Sequence, residues 1–208
     1  MKVPAGLTML AAGLALALGG GLLVWRNLPA GPAPAGEIPQ AITAPMAEPL
    51  PPFRLAGPGG EFGNANLLGR WTFLFFGYTQ CPDICPTALA LMKEVGAQVR
   101  AVSPAPTFEV VFVSVDPRRD THALLAQYLA AFDPAFVGVS GDDAALLPLT
   151  QALAVRYRRN DETDSRHYTV DHSAAIHLID PRGRPAASFP PPQQAATLVA
   201  ELRRVAGR

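Results

Sequence analysis

Cys81 and Cys85 are the only two cysteines in the 208-residue sequence, and three residues separate them. A pair so close cannot staple a distant loop, so a structural disulfide framework explains it poorly. Redox chemistry and metal binding are the uses that suit it. The segment Gly77-Tyr78-Thr79-Gln80-Cys81-Pro82-Asp83-Ile84-Cys85-Pro86-Thr87 joins a run that reads as a buried strand to one that reads as a helix. Turns of that kind hold ligand and redox sites in α/β proteins. Pro86 suits the first helical position and biases Cys85 away from helical angles. Both sulfurs are then expected at or just before a helix N-terminus, where the dipole and free N–H groups favour thiolate over thiol. Two thiolates are soft ligands, suited to Cu(I) and also to Zn(II). Two buried cysteines acting as small hydrophobes would not need the surrounding prolines and the polar Asp83. A thiol–disulfide exchanger also places a dithiol at a helix start, but its usual spacing is C-x-x-C, one residue shorter than this one.

A further ligand must come from elsewhere in the chain, where four histidines are available: His122, His167, His172 and His177. A lone histidine is ordinarily a surface residue or a hydrogen-bonded core residue. His172 stands at the entry to a predicted strand. His177, five positions on, would face the opposite side of the sheet, so only one of the two can readily face the cysteines. His167, in the charged stretch RRNDETDSRH, is the fallback ligand. Two thiolates and one imidazole make a three-coordinate set. That suits copper, leaves a structural zinc site one ligand short, and keeps the ion accessible for transfer.

These residues have to be positioned by an alternation of strands and helices. Trp71–Gly77 (WTFLFFG) and Phe108–Val115 (FEVVFVSV) read as strands buried on both faces. Helices are expected from about Pro86 to Arg100, from Asp120 to Ala131, and from Asp142 to about Tyr157, the last kinked or split by Pro148. A short strand is expected near 136–139 and a longer one over Thr169–Ile179. The turn Asp180-Pro181-Arg182-Gly183 then leads to a partner strand at Ala186–Phe189. A final helix over Gln193–Val205 puts Leu198, Val199, Leu202 and Val205 on one face. The pattern is that of an α/β protein, a mixed sheet with helices on both sides.

Ahead of this head, Val3 to Trp25 is uncharged and apolar, long enough to span a bilayer as one transmembrane helix and longer than the apolar stretch of an ordinary secretory signal. An uncleaved anchor is the favoured reading and a cleaved signal the alternative. Lys2 before the run is a weak positive-inside cue that places the C-terminal bulk outside the cytoplasm. No Arg- and Ser-rich transit peptide precedes it, which favours a bacterial cytoplasmic membrane over a mitochondrial one. From Leu28 to Pro58 prolines at 29, 32, 34, 39, 45, 49, 51 and 52 predict a stiff, extended spacer. The expected organisation is an anchor at 1–27, a Pro/Ala/Gly-rich linker at 28–45 and one domain at 46–208. Seventeen basic and seventeen acidic side chains cancel, which argues against a nucleic-acid binder.

Three stretches, FFGYTQCPDICPTAL (75–89), VSVDPRRDT with LLAQYLAAFDPAFVGVSG (113–121, 124–141) and YTVDHSAAIHLIDPRGR (168–184), make the chain resemble the Sco/SenC family of copper chaperones for cytochrome c oxidase. The resemblance covers roughly residues 46–206. It implies a thioredoxin-like fold and one copper ion, Cu(I) or Cu(II), held by Cys81, Cys85 and His172. It also implies a copper-accepting subunit of the oxidase as partner, with other copper chaperones or thiol reductants alongside, and a globular domain on the periplasmic side. Asp83 and Asp171 match acidic positions near the metal, and Asp116 to Asp120 looks like a structural loop into a helix cap. Gln80 stands where many members have histidine, and His122 where proline is common.

Two functions compete. A metallochaperone would bind copper and pass it to the CuA site by ligand exchange, without catalytic turnover. A thiol–disulfide oxidoreductase would use Cys81 and Cys85 as a redox-active pair to reduce partner cysteines, and would not need His172. A peroxide-reducing relative would need an arginine beside the thiolate, and none lies within the motif.

Overall fold

Alternation of burial along the chain is what organises this molecule. In the computed structural model, which describes residues 42–43, 48–101, 105–160 and 168–207, the run WTFLFFG is buried from Thr72 through Gly77 and forms a central strand. Among the described residues the strands are β1 (Ile42–Thr43), β2 (Arg54–Gly57), β3 (Gly60–Gly63), β4 (Trp71–Gly77), β5 (Phe108–Ser114), β6 (Val137–Ser140), β7 (Tyr157–Arg159), β8 (Val170–His172), β9 (Ile176–Ile179) and β10 (Pro185–Phe189). The helices are α1 (Asn64–Leu67), α2 (Ile84–Arg100), α3 (His122–Ala130), α4 (Asp143–Ala152) and α5 (Ala195–Ala206).

Eight strands form one mixed sheet in the order β1-β10-β9-β4-β5-β6-β2-β3, and β7 pairs with β8 in a separate two-stranded ribbon. β4, β5 and β6 run parallel, with Phe75 opposite Phe112 and Val113 opposite Val139. β9 lies antiparallel to β4 on the other side, with Phe75 opposite Ile176. Phe73, Phe75, Phe76 and Phe112 are fully or almost fully buried, each contributing roughly 1.5–3 kcal/mol by removal from water. Helices flank the sheet. α5 lies against α2, burying Leu198, Val199 and Leu202 as the spacing predicts. α3 approaches β6 so closely that a Cβ on Gly138 would sit 2.9 Å from Leu129 Cδ1. The mixed sheet with flanking helices agrees with the expected architecture.

Several boundaries differ from the sequence reading. The stretch read as a spacer up to Pro58 contains β2, and Leu50, Phe53 and Leu55 are core residues. β2 and β3 form a hairpin with Gly60 at φ +112°, a shape that hides its short apolar pattern behind prolines and glycines. α2 starts at Ile84, so Cys85 lies inside the helix and Pro86 is its third residue. Proline is tolerated there because first-turn N–H groups have no intrahelical acceptor. α3 starts at His122 behind Thr121, whose side chain accepts from the Leu124 N–H, so Asp120 is free for another task. α4 carries Pro148 without splitting and ends at Ala152, and Tyr157 belongs to β7 instead. The predicted single strand over Thr169–Ile179 is two strands in different sheets, parted at 173–175, where the Ser173 N–H bonds to the Arg156 carbonyl (2.8 Å).

Among the described residues no helix is long and apolar enough to cross a membrane. Residues 3–25, read as an anchor, and most of the linker lie outside the described residues, as does the fallback ligand His167.

Candidate metal centre

β4 ends at Gly77 and the chain turns over Tyr78–Pro82 into α2, which puts Cys81 in the turn and Cys85 in the first turn of the helix. The Cys85 N–H points at the Cys81 sulfur, 3.4 Å away, so Cys81 does meet a helix N-terminus as expected. Cys85 is fully buried and Cys81 half-buried, and both are free thiols. A Cβ on Gly77 would lie 2.8 Å from the Cys85 sulfur and 2.7 Å from Phe112 Cε2, so only glycine lets the sulfur sit this close to the strand.

His172 arrives from β8 and sets its Nε2 3.4 Å from the Cys85 sulfur, across 87 residues of chain. Its Nδ1 lies 3.0 Å from the Ser173 carbonyl, which accepts the Nδ1 proton and leaves the Nε2 lone pair facing the sulfurs. The ring stands edge-on to Tyr78 and Phe75, at 6.0 and 6.2 Å. Burial lowers the imidazole below its ordinary range, so it is neutral and ready to donate at pH 7. The donor atoms of Cys81, Cys85 and His172 all lie within 4.8 Å of one another. Two sulfurs and one imidazole nitrogen form a soft, three-donor set with room for one ion.

One expectation fails here. Burial pushes the Cys85 thiol well above the ordinary cysteine range, with its hydrogen bond to Cys81 adding to the effect. The helix N-terminus does not overcome that desolvation, so the metal-free Cys85 is a thiol. A soft metal ion must displace its proton on binding.

The other two histidines among the described residues, His122 and His177, stay away. His177 pairs in register with Leu74 and packs edge-on to Phe76, on the face of the sheet opposite Phe75 and the sulfurs. His122 opens α3. Asp171 is exposed and pairs with Arg158 at 3.5 Å, and Asp83 is the residue before α2, its carbonyl accepting from Thr87. Neither carboxylate joins the donor cluster.

The Asp116–Asp120 stretch does not cap the helix, a task that falls to Thr121. Asp120 is buried and accepts from the Thr79 N–H (3.0 Å), the Thr79 hydroxyl (2.6 Å) and the Ser114 hydroxyl (2.6 Å), which pins the cysteine loop to β5. Asp116, wholly buried, binds Arg119 and the Tyr168 hydroxyl. Arg119 reaches Gln80, so an arginine does stand beside the cysteine motif. Spacing could not reveal it, since the two are 39 residues apart.

Comparison with known proteins gives one family. The family model SCO1/SenC matches residues 43–207. The mitochondrial protein SCO2 homolog of Bos taurus is 37% identical over 120 residues, 58% of this chain and 45% of that protein. The chain spans about half the length of the first curated relatives it matches. Among solved structures, Bradyrhizobium japonicum ScoI with copper bound superposes with a TM-score of 0.65 at 36% identity, over 76% of this chain and 99% of that one. Arabidopsis thaliana ScoI with copper bound does so at 0.68 and 31%, with the same coverage. A match over this much of the chain, motifs included, leads to one conclusion: the protein belongs to the SCO1/SenC family.

Proposed function

We propose that this chain is a copper metallochaperone: it holds one copper ion between Cys81, Cys85 and His172 and passes it to a copper-accepting subunit of cytochrome c oxidase during assembly of that enzyme. The convergence of two sulfurs and one oriented imidazole nitrogen carries the reading. The copper-bound state of the Bradyrhizobium and Arabidopsis relatives supports it, as does the family resemblance of the motifs. Three donors hold copper without saturating it, so an incoming thiolate or imidazole can add before a donor leaves. Cys81, the more exposed sulfur, is the natural point of entry. The apolar segment at 3–25 and the proline-rich stretch after it suit a head tethered on the periplasmic side of a bacterial cytoplasmic membrane.

The same two thiols favour a second reading, a thiol–disulfide oxidoreductase. The Cys81 thiolate would attack a partner's disulfide, releasing one partner thiolate and forming a mixed disulfide. Cys85 would then displace the second partner sulfur, leaving the partner reduced and Cys81–Cys85 oxidised. The accessibility of Cys81 fits that order, but the buried, protonated Cys85 is a poor resolving nucleophile and simple exchange does not need His172.

An anaerobic Cu(I) titration against a competing chelator separates the two. The chaperone requires one Cu(I) per chain and a loss of at least ~10-fold in affinity in His172→Ala. Weak binding indifferent to His172, with fast disulfide exchange, would refute it in favour of the oxidoreductase.

A further inference from the structure

The metal centre is assembled from two pieces that share no local backbone. Cys81 rides on the loop after β4 and Cys85 on the first turn of α2, whereas His172 rides on β8, outside the main sheet. Their separation has to be set by something that touches both.

Arg119 does so. Its Nε binds the fully buried Asp116 carboxylate, which also accepts the Tyr168 hydroxyl. Its Nη1 donates to the Tyr168 carbonyl at 2.8 Å, at the foot of β8, and to Gln80 Oε1 at 3.2 Å, next to Cys81. The guanidinium lies over the Tyr168 ring at 3.6 Å and reaches the Tyr78 ring at 5.6 Å. Tyr78 in turn meets the His172 ring and the Val170 backbone. The side chain is only 11% exposed, so these contacts are not those of a solvated surface ion pair, which would fix little. Arg159 also approaches Asp116, at 3.9 Å, but directs its hydrogen bonds to Asp143 and the Val115 carbonyl, away from the cysteine loop. A planar fork of donors can hold three partners in fixed directions and stack as well, which a lysine ammonium cannot.

We propose that Arg119 is a positioning residue for the metal centre: oriented by Asp116, its guanidinium locks the strand bearing His172 against the loop that bears Cys81 and leads into Cys85. The consequence for copper rests on the function proposed above, whereas the mechanical part does not. Arg119→Lys keeps the charge near Asp116 and removes the fork.

Two measurements on the full chain test this, in wild type, Arg119→Lys, His172→Ala and the double variant. In anaerobic Cu(I) competition, Arg119→Lys is expected to lose about 10–100-fold in affinity. The same change in the His172→Ala background should move affinity by less than about twofold, because no imidazole is left to position. In the metal-free protein, hydrogen exchange at the Asn160 and Ser173 amides, which bond to Thr169 and Arg156 carbonyls beside the β7–β8 ribbon, should speed up while β4 and β5 amides keep their rates. Equal copper losses in both backgrounds, unchanged exchange at those amides, or uniformly faster exchange across the core would each overturn the proposal. Selective loosening in a protein whose wild type takes no stoichiometric Cu(I) would uphold the positioning role and refute the copper function instead.

Discussion

Replacing His177 by leucine should remove much of this protein's sensitivity to mild acid. His177 is 5% exposed, pairs in register with Leu74, packs against Phe76, and has no hydrogen-bond partner for its Nε2 among the described residues. Burial lowers its pKa from 6.5 to about 4. Between those values the unfolded chain binds a proton that the folded protein refuses, so stability rises with pH across the window. The contribution is complete above 6.5 and lost as pH falls through about 4. Each tenfold change in proton affinity is about 1.4 kcal/mol, so the full effect is about 3 kcal/mol, most of it gone by pH 4.5. Burial lowers His172 in the same direction, but it titrates in both proteins and cancels in the difference. Urea unfolding of metal-free wild type and His177→Leu, followed by circular dichroism at pH 7 and 4.5, reads the effect. Wild type should lose about 2–3 kcal/mol more than the variant over that interval. Parallel pH profiles would refute the reasoning, for they would mean that His177 charges inside the fold without penalty.

Two further substitutions probe geometry. Gly77→Ala places a methyl 2.8 Å from the Cys85 sulfur and 2.7 Å from Phe112; it should destabilise the fold by about 1–3 kcal/mol and weaken Cu(I) binding, and wild-type behaviour in both thermal unfolding and titration would show that the sulfur is not held against the strand. Asp180→Ala removes the carboxylate that accepts from the Arg182 and Arg184 N–H groups and from the Arg184 guanidinium, all at 2.7–2.9 Å. It should cost about 2–3 kcal/mol in unfolding experiments, and a loss under about 0.5 kcal/mol would mean that the turn is held by backbone geometry alone.

What chain order determines here is local. The WTFLFFG and FEVVFVS runs read as strands buried on both faces, since they are rich in aromatic and β-branched residues and their one charged residue, Glu109, stands near an end. The Asp180–Gly183 turn carries its own chemistry, a proline at the second position and a glycine that adopts φ +74°. The cysteine pair between a strand and a helix marks a site for redox chemistry or a soft metal. The rest depended on contacts between distant parts of the chain. Periodicity could not end α4 at Ala152 or part β8 from β9, because those breaks follow from pairing with β7 and a bond from Ser173 to Arg156. Residue types alone left the imidazole open among several histidines; β9 pairing turns His177 to the far face, and the β7–β8 ribbon brings His172 to the sulfurs. Local reasoning also assigned Cys85 a thiolate from its place at a helix start. Tertiary packing buries it, and desolvation of a charge outweighs a helix dipole worth at most about 2 kcal/mol. Arg119 stands beside Gln80 only because the loop after β5 folds back over both halves of the site, a closeness that no spacing in the chain records.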